Sequence, residues 1–247
     1  MKILLPYKDI KINKIGLIVA TRLNNNKNEI EVWKCINNKY KNINLAEEKN
    51  RIIKDLDNII NENEYVIIRT NIEDGILFNK INEKLSNGKY DLSISVVRSP
   101  ENIDNAIGSF TESYIDKCEI DALIIPENYK PLEINYATLI LEINKFKKPI
   151  GQIIEKINHI FPEVKLNVVD LNNENSLDSK NIKDLNVKQK VKINELYAAI
   201  INEKIECNDL FIFAVANKGE IQNHMFLGNL IRKVALYKNK PVLLIKE

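Results

Sequence analysis

The residues of this chain that could do chemistry are few, and they fall in two corresponding stretches. Gly228-Asn229 stands at the head of an apolar pattern, Leu227, Leu230, Ile231 and Val234 at i, i+3, i+4 and i+7, the period of an amphipathic helix with Arg232 and Lys233 on its polar side. A glycine there leaves backbone N–H groups uncovered at the positive end of the helix dipole, which receives an anion if the loop before it permits close approach. Gly219 lies nine residues earlier in that loop, with Lys218 and His224 as cationic neighbours. Gly108-Ser109 repeats the feature in the first half, but residues 95–105 before it contain no glycine, and Arg98, Pro100 and Ile103 hold backbone away from a phosphate. Lys8 and Asn144 follow apolar runs and mark strand ends. Each of these has a plainer reading beside it. A residue without Cβ also lets a helix sit close on a strand, Asn144 suits a turn that bonds local backbone, and an exposed Lys or His needs no ligand.

The elements that hold these residues are legible from periodicity. Residues 210–215 and 242–245 are nearly unbroken apolar runs of strand length, and with the helix between them they make a β-α-β unit. A shift of 120 residues places Gly108 on Gly228, Ser109 on Asn229, Phe110 on Leu230, Tyr114 on Val234 and Leu123-Ile124-Ile125 on Leu243-Leu244-Ile245. Asp91-Leu92 pairs with Asp209-Leu210 after a two-residue difference in loop length. In a chain with only seven glycines, one recurring at the same helix start points to an internal duplication.

The first half is predicted to place strands at 2–6, 29–36, 65–69, 92–97 and 122–125. Helices at 12–23, 47–62 and 73–85, and one opening at 107, alternate with them, and Ile52, Ile53, Leu56, Ile59 and Ile60 form the buried stripe of the second. The second half follows with strands at 138–143, 164–170, 187–193, 210–215 and 242–245 and helices at 150–161, 195–205 and from Gly228. Residues 127–136, with Pro131, read as a linker, so two domains are expected, 1–128 and 129–247. Alternating strands and helices argue for parallel sheets covered on both faces.

Composition narrows the class. Charged residues are 28% of the chain and the net charge is +2, so neither a nucleic-acid footprint nor a polybasic membrane signal is present. Apolar runs stay well below the roughly 20 residues that span a bilayer, and no secretory leader pattern opens the sequence, so a soluble cytoplasmic protein is expected. Three scattered cysteines and two histidines give no disulfide framework and no metal-ligand spacing. No dinucleotide fingerprint, phosphate-binding Gly-Lys-(Ser/Thr) loop or nucleophile elbow occurs, and no catalytic constellation forms, so an enzyme is not expected.

The terminal unit, with Asp209-Leu210, Gly228-Asn229 and Pro241-Val242-Leu243-Leu244, resembles the carboxyl end of universal stress protein domains. There, a strand beginning Asp-Leu leads into Gly-x2-Gly-x9-Gly-(Ser/Thr) at a helix start, and a Pro-Val-Leu strand closes the sheet. The resemblance implies an α/β fold of two flavodoxin-like (adenine nucleotide alpha hydrolase-like) three-layer sandwiches, each with a five-stranded parallel sheet. In domains of that family that hold ATP, an Asp after the first strand meets the adenine and the glycine loop holds the phosphates. Carried over, the nucleotide site comprises Asn144, Gly219, Gly228 and Asn229, with Gly108 and Ser109 in the first half, and ATP or AMP as the ligand. The pattern departs at Lys8 and Asn144, which stand where the family has Asp, and at Gly219, which lies nine residues before Gly228 where ten are expected. The resulting expectation is a non-catalytic tandem regulatory protein with degenerate nucleotide sites. Two alternatives stay open: a stress sensor that binds ATP or AMP in its second domain, and a soluble regulatory domain or partner of an ion or amino-acid transporter. Domains of the family associate through their last strands, so 122–125 and 242–245 are expected to pair within the chain as a pseudo-dimer, with a homodimer as a further assembly.

Overall fold

Side chains on both faces of the central strands are apolar, so the sheet needs cover on both sides, and the fold follows from that demand. The computed structural model describes residues 1–7, 10–23, 27–36, 44–60, 67–75, 77–98, 119–131, 133–171, 187–192, 195–205, 209–216 and 227–247. In the first half these form β1 (Lys2–Pro6), α1 (Ile10–Arg22), β2 (Glu29–Ile36), α2 (Leu45–Ile60), β3 (Ile67–Asp74), α3 (Leu77–Gly88), β4 (Leu92–Val97) and β5 (Asp121–Pro126). In the second they form β6 (Tyr136–Leu141), a 3-10 turn (Ile143–Lys145), α4 (Ile150–Ile160), β7 (Lys165–Asp170), β8 (Val187–Lys190), α5 (Leu196–Ile201), β9 (Leu210–Val215), α6 (Leu227–Lys238) and β10 (Val242–Lys246).

The strands join in one sheet of order β3-β2-β1-β4-β5-β10-β9-β6-β7-β8. Read inward from its own edge, each half has the same order, and every pairing is parallel except the central one. There β5 and β10 run antiparallel, with Val242 opposite Ile124, Leu243 opposite Leu123 and Leu244 opposite Ala122. These are the two segments that the sequence sets side by side, and their pairing leaves neither as an open edge.

Three layers result. Ile3, Leu5, Ile30, Val32, Leu92, Ile94, Leu123, Ile125, Leu139, Ile212, Leu243 and their neighbours face α1, α2 and α4. The alternate residues, Leu4, Trp33, Val97, Ile124, Ile140, Phe211, Phe213 and Leu244, face α3, α5 and α6. Both core layers run without interruption across the β5–β10 seam, since each contains residues of both strands. Gly16 has a packing role in this arrangement: a Cβ there would lie 2.9 Å from Leu5 Cδ1 and 3.0 Å from Val96 Cγ2, so any larger residue must push these side chains aside where α1 settles on β1 and β4.

The two halves also use the same joint. Asp91 Oδ2 accepts a hydrogen bond from the Lys2 amide at 2.7 Å, and Asp209 Oδ2 accepts from the Tyr136 and Asn135 amides at 2.8 and 3.0 Å. Each aspartate precedes the fourth strand of its half and ties it to the start of the first. The Asp-Leu dipeptide of the sequence pattern is thus a clasp between two central parallel strands.

Several expectations need correction. The third strand does not end at residue 69 but runs to Asp74, because Ile68 and Ile72 continue the alternation that packs on the core. Ile53 is 37% exposed and not on the buried stripe of α2; Ile52 and Leu56, one turn apart, carry that face. Arg232 does not lie on a solvated side of α6 but is buried, because α6 is covered on more than one flank where it crosses the seam. The strand expected at 138–143 lies two residues earlier. The helix expected from Gly108 falls outside the described residues.

Candidate functional site

In open α/β sheets ligands bind at the carboxyl ends of the strands, where the strand order reverses. That point lies between β1 and β4 in the first half and between β6 and β9 in the second.

In the second half, β6 ends at Leu141 and the chain turns at once. Glu142 is buried and starts the 3-10 turn, and Asp170, buried at the end of β7, accepts the Ile143 amide at 3.3 Å through Oδ1. Asn144 is therefore a solvent-exposed turn residue and not the last residue of a strand. Two buried carboxyl-bearing side chains thus stand at the carboxyl ends of β6 and β7.

The amides beyond the turn already have an anion. Glu247 Oε1 accepts hydrogen bonds from the backbone N–H groups of Lys147 and Lys148, at 2.7 and 2.8 Å. Successive amides pointing to one oxygen make a nest, and here the nest leads into the start of α4, so the helix dipole adds to it. Glu247 is anchored from the other side, since its own amide bonds Val215 O at the end of β9. Its side chain therefore bridges from the carboxyl end of β9 to the loop after β6, across the mouth of the switch point. α4 has no side-chain cap of its own, with Pro149 at its N-cap, which leaves this carboxylate as the neutralising group.

Gly228 is buried in the first turn of α6, which begins one residue earlier, at Leu227. Asn229 is partly buried and its Oδ1 has no hydrogen-bond partner among the described residues. Gly219, Lys218 and His224 lie outside the described residues, as do Gly108, Ser109 and Lys8. Of the sequence-expected site, the structure thus describes Asn144, Gly228 and Asn229, on two elements.

At the carboxyl end of β1 in the first half, on the side of β2 and α2, stands a polar cluster that sequence reasoning missed. Tyr7 follows β1, is buried, donates from its hydroxyl to Asp55 Oδ2 at 3.1 Å, and bonds Trp33 O through its amide at 2.7 Å. Burial first, and then the Asp55 carboxylate, pushes its phenol pKa up to about 12. The Lys34 ammonium lies 5.1 Å from the Tyr7 ring centroid and 2.5 Å from Glu48, which Arg51 also holds. Burial would raise the Glu48 pKa, but Arg51 and Lys34 win and keep it low. Asn13 donates to Pro6 O at 2.8 Å and closes the end of β1 from the helix side. The signal was present: Glu48, Arg51 and Asp55 are spaced three and four apart on one helix face. Among the described residues, no group of three or more His, Cys, Asp and Glu side chains is placed to hold a metal ion, and no helix is long and apolar enough to cross a membrane.

Comparison with known proteins agrees with this architecture. No protein-family model matches the sequence, and no curated protein does. Among solved structures, a universal stress protein from Archaeoglobus fulgidus is similar over 100% of this chain and 96% of its own, with a TM-score of 0.67 at 14% identity. A universal stress protein described as putative, from Pseudomonas aeruginosa, is similar over 99% of this chain and 92% of its own, with a TM-score of 0.60 at 14% identity. The cytoplasmic domain of a prokaryotic cation chloride cotransporter covers 98% of this chain and 94% of its own, with a TM-score of 0.52 at 15% identity. The chain has the α/β fold that universal stress proteins have.

Proposed function

We propose that this chain is a tandem universal-stress-like regulatory protein of the cytoplasm, made of modules 1–128 and 129–247 joined as an intrachain pseudo-dimer through β5 and β10, without catalysis and with degenerate nucleotide sites. The observation that carries the reading is Glu247, whose carboxylate takes the paired Lys147 and Lys148 amides at the switch point of the second module. A triphosphate entering there would have to displace a tethered carboxylate and accept Glu142 and Asp170 as neighbours. Signalling in such a protein runs through surfaces and not through turnover.

Isothermal titration with ATP and magnesium, with Tm as a second readout, tests this. Ligand at 100 times its Kd would stabilise the fold by about 2.7 kcal/mol. Silence at about millimolar nucleotide is the expected outcome; a saturable heat with an upward Tm shift, lost in Asn229→Asp, would replace the proposal by the ATP or AMP sensor. If Glu247→Ala alone binds nucleotide, the nest is the block.

A second reading, a soluble regulatory domain or partner of a transporter, is supported by the likeness to the cotransporter's cytoplasmic domain. Co-purification with a membrane fraction is its test, and an exclusively free pool would count against it.

A further inference from the structure

The two outer strands of the sheet are built differently. β8 has four residues, carries Lys188 and Lys190, and its ladder with β7 shifts register between Val168 and Val169. Short length, lysines and irregularity are what keep an edge from recruiting another strand. β3 has none of them: eight residues, no proline or lysine, and an uninterrupted register from Ile67 opposite Glu29 to Asp74 opposite Ile36. Ile67 N donates to Asn28 O and Gly75 N to Ile36 O, so the odd-numbered residues of this parallel ladder turn their backbone groups toward β2. Ile68, Thr70 and Ile72 turn theirs outward. The side chains are sorted as well. Asn71 and Glu73 lie on the α3 face, where they meet Glu31 and Lys84, and Ile68 and Ile72 pack on the opposite core layer.

We propose that the chain self-associates through β3, which pairs antiparallel with β3 of a second copy about a two-fold axis at Asn71. Outward backbone groups of both strands meet only if the axis falls on a residue. An axis at Arg69 or Glu73 puts like charges opposite each other, and an axis at Thr70 or Ile72 forms no ion pair. At Asn71, Thr70 bonds Ile72 of the partner, and Arg69 stands directly opposite the partner's Glu73, twice by symmetry. These are non-hydrogen-bonded positions, where opposed side chains approach closest and opposite charges stabilise. Arg69 is ready for this: its side chain is 66% exposed, and among the described residues it pairs with Glu29 at 3.2 Å. The strand ladder fixes the register and the two ion pairs select it over its neighbours.

Sedimentation velocity on the full chain over about 1 to 200 µM, the range of a modest interface, is the test. A concentration-dependent dimer is expected. Thr70→Pro removes an outward N–H without touching the β2 ladder, and should weaken the dimer at least tenfold with the circular dichroism spectrum retained. Arg69→Glu and Glu73→Arg should each be monomeric alone, yet associate when mixed, because every opposed pair is then complementary. A wild-type chain that stays monomeric overturns the proposal, as does a dimer that survives Thr70→Pro. If Glu73→Arg loses its fold beside Lys84, the Thr70→Pro comparison decides alone.

Discussion

Lys156→Met isolates a charged clasp that crosses the seam between the halves. Asp121 starts β5, is 4% exposed, and its carboxylate takes the Lys156 ammonium at 2.8 and 2.9 Å and the Lys246 amide at 3.0 Å. Lys156 belongs to α4 and Lys246 to β10, so one side chain of the first half fastens two elements of the second. A hydrogen bond to a charged group contributes about 1.5–3 kcal/mol. The Lys156 side chain is 49% exposed, which discounts this, and Asp121 keeps the Lys246 amide, so a loss of about 1.5 kcal/mol at pH 7 follows. For a chain of this length that is about 3–6 °C in Tm. The pH dependence carries the sharper test. Burial raises the Asp121 pKa, and Lys156 opposes it, so removing Lys156 lifts the pKa further. A carboxyl whose folded pKa is raised loses stability as pH rises through that value. The variant regains stability on acidification at a higher pH than the wild type does, and its deficit shrinks as pH falls from 7 toward the ordinary Asp value of about 3.9. Urea denaturation at both ends of that window, with Asp121→Asn and the double variant completing a cycle, measures it. Asp121→Asn alone should cost less than Lys156→Met, because it retains an acceptor for Lys246 and leaves Lys156 free to hydrate. A deficit that grows on acidification, or an Asp121→Asn cost as large as that of Lys156→Met, would refute the reasoning.

Three further outcomes are open to measurement. Lys84→Met should cost about 2–3 kcal/mol in urea denaturation at pH 7, because Lys84 pairs with Glu31 and Glu73 at 2.7 and 3.1 Å in a part-buried setting. Burial would raise the Glu31 pKa, but Lys84, the Tyr90 hydroxyl and Asn71 hold it low, so its contribution is present above about pH 4.3 and is lost as pH falls through the folded value; the Lys84→Met deficit should shrink there. Gly16→Val should lower stability by about 1–3 kcal/mol, with Gly16→Ala milder, since each drives atoms into Leu5 and Val96; an unchanged Tm for the valine variant would refute the close-packing account. Tyr7→Phe should remove a tyrosine that ionises near pH 12 from the ultraviolet titration.

Much of this architecture was open to inspection in the residue order. β2, β4 and β9 have the predicted bounds because each is an apolar or alternating run closed by polar residues, and strand signals of that kind need no tertiary help. The sequence pattern makes β3 too short because Arg69, Asn71 and Glu73 alternate with Ile68, Thr70 and Ile72 at an edge, where half-exposure blurs the period. The site was far less legible. Apolarity alone puts Asn144 at a strand end, while the chain leaves the strand two residues earlier to let Ile143 bond Asp170. Tyr7 with Asp55, and Glu247 with Lys147 and Lys148, join residues 48 and about 100 positions apart, and no local pattern announces such pairs.

Alternating apolar runs, helix periods and the recurring Asp-Leu and glycine positions determine, from the sequence alone, that this chain builds parallel β-α units. Hydrophobic periodicity is local, and it survives without knowledge of the partners. Which carboxylate fills the amide nest and which side chains gather beside Tyr7 were decided only by tertiary structure, because each depends on polar groups far apart in the sequence that find one another across the sheet.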